Sequence, residues 1–173
     1  MLVQSKQLNG ARIVSLHTGH AIGSLGVSII NPHKLELAGF YVNLPKASKQ
    51  PFVLLTQDIR QFAQGRVFIN SGDEIVAATE LLRLKETLSL NFSLTDKPVR
   101  SVSKRRVGKV TEYVVETTGW VVQKLYVSQP FFKSFSTGTL IIDRSQIIEV
   151  NDRQVTVADA AITAPAVVPS RVT

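Results

Sequence analysis

The chain has 173 residues, 44% of them apolar and 19% charged, and this balance with a slightly positive mean hydropathy excludes an intrinsically disordered protein. Twenty Lys and Arg against thirteen Asp and Glu leave a net charge of +7, which favours anionic partners and carries no information about fold. There is no cysteine, so disulfide staples, thiolate metal sites and a cysteine nucleophile are excluded.

In chain order, the first residues, MLVQSKQLNGARIV, lack the continuous apolar run of a secretory signal. No stretch approaches the roughly 18 apolar residues that cross a bilayer as a helix, so a soluble, cytoplasmic protein is the expectation. ARIVSL, GVSII, LELAGFYV, FVLLT and RVFI follow as short runs of β-branched and aromatic residues bounded by breakers, which is the pattern of strands. The period then changes. In GDEIVAATELLRLKETLSLN (72–91), Ser71 stands three residues before Glu74 at capping-box spacing, and Leu81, Leu84 and Leu88 fall on one helical face. The spacing predicts a linker helix of about three turns, with a strand-like start at Ile75-Val76 as the competing reading. Strand patterns return in VTEYVVE (110–116), WVVQKLYV (120–127), LIID (140–143) and QVTV (154–157). The last residues, 159–173, are rich in alanine and proline without periodicity, and read as a tail.

The two stretches of strands repeat each other. Residues 22–42 laid over 107–127, an offset of 85, pair Gly23 with Gly108, Leu25 with Val110, Leu37 with Val122 and Tyr41-Val42 with Tyr126-Val127. Only Gly23, Tyr41 and Val42 are matched by identical residues, yet the apolar positions coincide without a gap. Later the offset becomes 88 and pairs Ile59 with Ile147, Phe62 with Val150, Val67 with Val155 and Ile69 with Val157. The three additional residues therefore belong to the connector between Val127 and Leu140.

VGKVTEYVVETTGWVVQKLYV followed by LIIDRSQIIEVNDRQVTV resembles the PRC-barrel domain, found in the photosynthetic reaction-centre H subunit and at the C-terminus of a ribosome maturation factor. LNGARIVSLHTGHAIGSLGVSII and TQDIRQFAQGRVFI match more loosely. The resemblance implies an all-β protein of two tandem small antiparallel barrels joined by a short α-helix. Residues 1–71 form the first barrel, 72–91 the linker helix, 92–158 the second barrel and 159–173 the tail. It implies an adaptor or docking module and supplies no catalytic residues. Gly23 and Gly108 would sit where the chain bends into the second strand of each barrel.

Candidate chemistry is sparse. His17, His20 and His33 invite a metal reading, but the His17–His20 spacing lies on a glycine-containing turn with no cysteine or acidic cluster, so a polar turn is expected and no metal or cofactor. No nucleophile elbow or phosphate loop is present, and Asp143 reads as turn support, so no enzyme is expected. Arg100, Lys104, Arg105, Arg106 and Lys109 form the densest charge cluster, with Lys104–Arg106 in a hairpin loop of the second barrel. They can neutralise phosphates of RNA or lipid headgroups, or simply keep a loop solvated. Phe131, Phe132, Lys133 and Phe135, after Pro130, form an aromatic loop that caps the barrel or meets a partner or membrane, with at least one phenylalanine expected on each side of that choice. The functional expectation is a non-enzymatic adaptor for a protein or ribonucleoprotein partner. The alternatives are a peripheral membrane scaffold using both loops, and an RNA-binding or ribosome-assembly factor.

Overall fold

Strands outnumber every other element, as the density of Val, Ile, Leu and aromatic runs requires. The structure, a computed structural model, describes residues 1–46, 49–129 and 138–162. Its elements in chain order are β1 (Leu2–Gln4), α1 (Ser5–Leu8), β2 (Arg12–Ser15), β3 (Ala21–Asn31), β4 (Glu36–Asn43), β5 (Phe52–Leu55), β6 (Gln61–Ala63), β7 (Arg66–Ile69) and β8 (Ile75–Ala77). They continue with α2 (Lys85–Leu90), β9 (Pro98–Ser101), β10 (Arg106–Glu116), β11 (Val121–Ser128), β12 (Thr139–Asp143), β13 (Ile147–Val150) and β14 (Val155–Val157).

One set of pairings occurs twice. In the first half β2 pairs antiparallel with β3, β3 with β4, β4 with β5 and β6 with β7, while β7 returns to pair parallel with β2. In the second half β9, β10, β11, β12, β13 and β14 repeat those five pairings in the same order and sense. The register follows the sequence offsets of 85 and 88 where Phe40 faces Leu54 and Leu125 faces Ile142, and steps by one residue on the first strand of each half, where Ile13 faces Val67 and Val99 (13 plus 86) faces Val155. Leu25 and Val110 are both fully buried, as alternation on a half-buried strand demands.

The hairpin turns repeat as well, with different chemistry. At the β3–β4 turn, Asn31 Oδ1 accepts from the N–H groups of His33 (3.0 Å) and Lys34 (3.3 Å). At the β10–β11 turn, the Glu116 carboxylate accepts from those of Thr118 and Gly119, both at 2.9 Å. Each turn closes on a buried residue in the left-handed region, Leu35 (φ 54°) and Trp120 (φ 53°).

Those turns join the halves. Leu37 N–H donates to the Trp120 carbonyl (2.7 Å) and Val122 N–H donates to the Leu35 carbonyl (2.8 Å), around the β4–β11 pair of Glu36 with Val121. Each bond is the other with its two residues exchanged between halves, which defines a local two-fold relation. Ser28 and Tyr113, also equivalent (28 plus 85), meet each other hydroxyl to hydroxyl at 2.6 Å. Phe40 stacks edge-on against Trp120 with ring centroids 5.6 Å apart. Half-buried Arg144 donates to the carbonyls of Lys34 (2.6 Å), Val122 (3.3 Å) and Leu35 (3.4 Å), and so ties the second half to the first half's turn.

The ladder is thus one open mixed sheet that runs through both halves, in place of the expected two closed barrels joined by a helix. The β4–β11 pair makes it continuous, and β1 crosses over to pair with β10 of the second half. The predicted three-turn helix is also corrected. Ile75–Ala77 extends as β8 because β5 offers it an unpaired edge, from Phe52 to Leu54, that only an extended strand satisfies. Short 3₁₀ turns follow, and α-helix is confined to α2, which Asn91 ends in the left-handed conformation (φ 43°). Leu81, Leu84 and Leu88 are half-buried there, whereas Leu82 is exposed. Ser71 does cap its turn by accepting from Asp73 N–H (3.3 Å), but the Glu74 carboxylate turns back to Asn70 instead of completing a capping box. Among the described residues, no helix is long and apolar enough to cross a membrane.

Candidate anion-binding face

The β9–β10 hairpin carries the charge cluster. Arg100 lies on β9, Lys104 and Arg105 in the connecting loop, and Arg106 and Lys109 on β10; all five are exposed. Spacing alone would put Arg106 and Lys109 on opposite faces of a strand. A bulge at Val107 corrects this: Arg106 faces Arg100 and Lys109 faces Pro98, so the three cations share one solvent face. The strands approach closely here because Gly108 has no side chain. A Cβ there would lie 1.9 Å from the Ser128 carbonyl oxygen, and one at Gly23 would lie 2.5 Å from that of Asn43, the equivalent residue. The glycines thus permit a close approach of backbone inside a strand, beyond the bend the sequence suggested.

Arg105 is separate from the other cations. Its guanidinium lies 3.6 Å from the Asp159 carboxylate, and its Nε donates to Ser103 Oγ (3.2 Å). Hydrogen bonds from the Ser103 and Ser101 side chains, with the Arg105 charge adding to them, hold the Asp159 carboxyl below its usual range. Among the described residues, Arg100, Lys104, Arg106 and Lys109 make no ion pair. Lys104 adopts the left-handed conformation (φ 63°) at the position that the first half fills with Gly19 (φ 71°). Across the sheet the outward row runs Arg106, Arg100, Thr156, Glu149, with Thr156 half-buried and the other three exposed. Its counterpart in the first half is Ala21, Val14, Phe68, Gln61. At this row the second half carries charge where the first carries apolar or neutral side chains, and the next row of the first half brings Arg12 beside Arg66.

Sequence reasoning missed Asp159, which anchors the loop, and the exposed pair Arg12 and Arg66, brought side by side by the parallel β2–β7 ladder. Phe131, Phe132, Lys133 and Phe135 lie outside the described residues. His17 and His20 occupy the exposed β2–β3 turn and His33 the β3–β4 turn. Among the described residues, no three metal-ligating side chains converge. Asp143 supports a turn as expected, accepting from the Ser145 N–H (3.2 Å) and hydroxyl (3.0 Å). A cleft of about 180 Å³ with mixed polar and apolar walls lies beside the Ser28–Tyr113 pair. Neither a protein-family description nor a curated protein matches this chain.

Proposed function

We propose that the protein is a non-enzymatic docking module in which each half is a PRC-barrel-like unit. The second half binds a protein or ribonucleoprotein partner through its basic face. One contrast carries this reading: the second half holds cations in positions that disfavour them. Facing like charges on paired strands repel, at about 0.2–1 kcal/mol, and Arg100 faces Arg106. A left-handed non-glycine residue costs about 1–2 kcal/mol, and Lys104 accepts that conformation where Gly19 does so freely. The first half holds one facing arginine pair, Arg12 with Arg66, but no left-handed lysine and no third aligned cation, and this accumulation of charge on one hairpin is not required by the fold.

The test uses the full chain with Lys104→Gly and Arg106→Gln. Both changes relieve an unfavourable arrangement, so the melting temperature should hold or rise. Immobilised wild-type protein should retain a partner from native lysate that moderate salt elutes, and the double variant should lose it. Retention of the same partners by both proteins would remove the basic face from the docking function. Nuclease and detergent arms separate a ribonucleoprotein and a membrane from a protein partner.

A further inference from the structure

We infer that Arg100, Arg106 and Lys109 form a clamp for the phosphodiester backbone of RNA, bound without regard to base sequence. This rests on the docking role of the basic face and names the chemistry it takes. Arg100 and Arg106 face each other on β9 and β10, where paired Cα atoms stand roughly 4.5–5.5 Å apart. Lys109 lies two register positions along, opposite Pro98, or about 6.8 Å further down the strand. Each guanidinium presents a fork of N–H donors that fits the two non-bridging oxygens of a phosphodiester, so two facing forks can hold one phosphate from two sides or two successive phosphates. With Lys104 at the head of the hairpin, the cations form a line along β10, which suits a linear polyanion of repeating charge.

The side chains among the cations define what else the ligand is. Pro98, Thr111, Ser128 and Thr156 are neighbours on these strands, and exposed Val102 in the hairpin loop is a lone valine among the cations, too small an apolar surface to enter a bilayer. The nearest aromatic, Tyr126 on the Ser128 face of β11, is half-buried, and the first half has Phe68 where the second has Thr156. Base stacking is therefore not available at these positions, and contact is to the backbone.

Fluorescence anisotropy with labelled oligouridylate and oligocytidylate of equal length tests the clamp on the full chain. Both should bind with affinities within about twofold of each other, and three phosphate contacts should weaken binding about 20-fold between 50 and 200 mM salt. R100Q/R106Q should lower affinity about tenfold. R12Q/R66Q removes the same charge from the first half and should change it less than about threefold. Melting curves establish that both variants are folded, and K109Q alone, which leaves the facing arginines in place, should give an intermediate loss. Equal losses in the two double variants would overturn the clamp, since net charge alone would then explain binding. Binding of phosphatidylserine vesicles or polyglutamate with no binding of either oligonucleotide would overturn it too, while leaving the docking reading intact. Failure to bind any of these anions, together with partner retention unchanged by K104G/R106Q, would remove both.

Discussion

Glu116 shows how one side chain sets a turn and the acid stability of the fold. Hydrogen bonds from the Gly119 and Thr118 N–H groups, joined by the Met1 amine at 2.9 Å, bring its carboxyl down from 4.5 to about 2. A carboxyl whose folded value is depressed stabilises the folded state above its ordinary value, and that contribution is lost as pH falls from about 4.5 through about 2. NMR titration should place the Glu116 midpoint near 2, and Glu116→Gln should remove this part of the wild-type decline in melting temperature over the same interval. A midpoint near 4.5 would show that the turn does not hold the carboxylate in solution. The equivalent Asn31 performs the same bonding without a titrating group, so the β3–β4 turn should be insensitive to acid.

Among the elements, the long strands β3 and β10 depend on a missing side chain at the point of closest approach. Gly108→Ala should cost about 3 kcal/mol or more and Gly23→Ala about 1–3 kcal/mol by chemical denaturation, because only backbone movement relieves either overlap. The reverse order of costs would contradict the geometry. These glycines were legible in the sequence, as were the offsets of 85 and 88, because apolar alternation records which side chains face inward whatever their identity. The linker was less legible. Leu81, Leu84 and Leu88 have helical spacing and Ile75-Val76 reads as the competing strand-like start, which holds; what decides between the two is the demand of the β5 edge for a partner, a tertiary fact that local pattern does not carry. The face formed by Arg100, Arg106 and Lys109 was half legible: the cluster is plain in the sequence, whereas the bulge at Val107 that aligns it and the Asp159 that removes Arg105 from it are not.

At the scale of the molecule, the halves meet through reciprocal backbone bonds and the one-sided β1–β10 pairing, and Arg144 adds a side-chain contact without a counterpart of its own kind. Its first-half equivalent, Thr56 (144 less 88), donates to the Leu37 carbonyl at 2.8 Å, the position matching Val122. Arg144 makes that bond and adds the two to Lys34 and Leu35 across the junction. Arg144→Met keeps the stem and removes the three donations, and should cost about 1–3 kcal/mol, with hydrogen exchange rising first at Leu37 and Val122. An unchanged exchange pattern would show that the backbone bonds hold the junction without it.

The two-fold relation has a consequence for valence. Identical subunits paired about an axis must display every surface twice, so a cationic face on one is a cationic face on both, and such an object bridges the anions it binds. Here a covalent chain runs through both halves, and Arg100 and Arg106 have diverged from Val14 and Ala21 while the ladder beneath them stayed the same. The molecule has two unlike ends. If the basic face takes an anion as proposed, the other end stays outside the contact, so each molecule would hold one anion where a symmetric pair would bridge two.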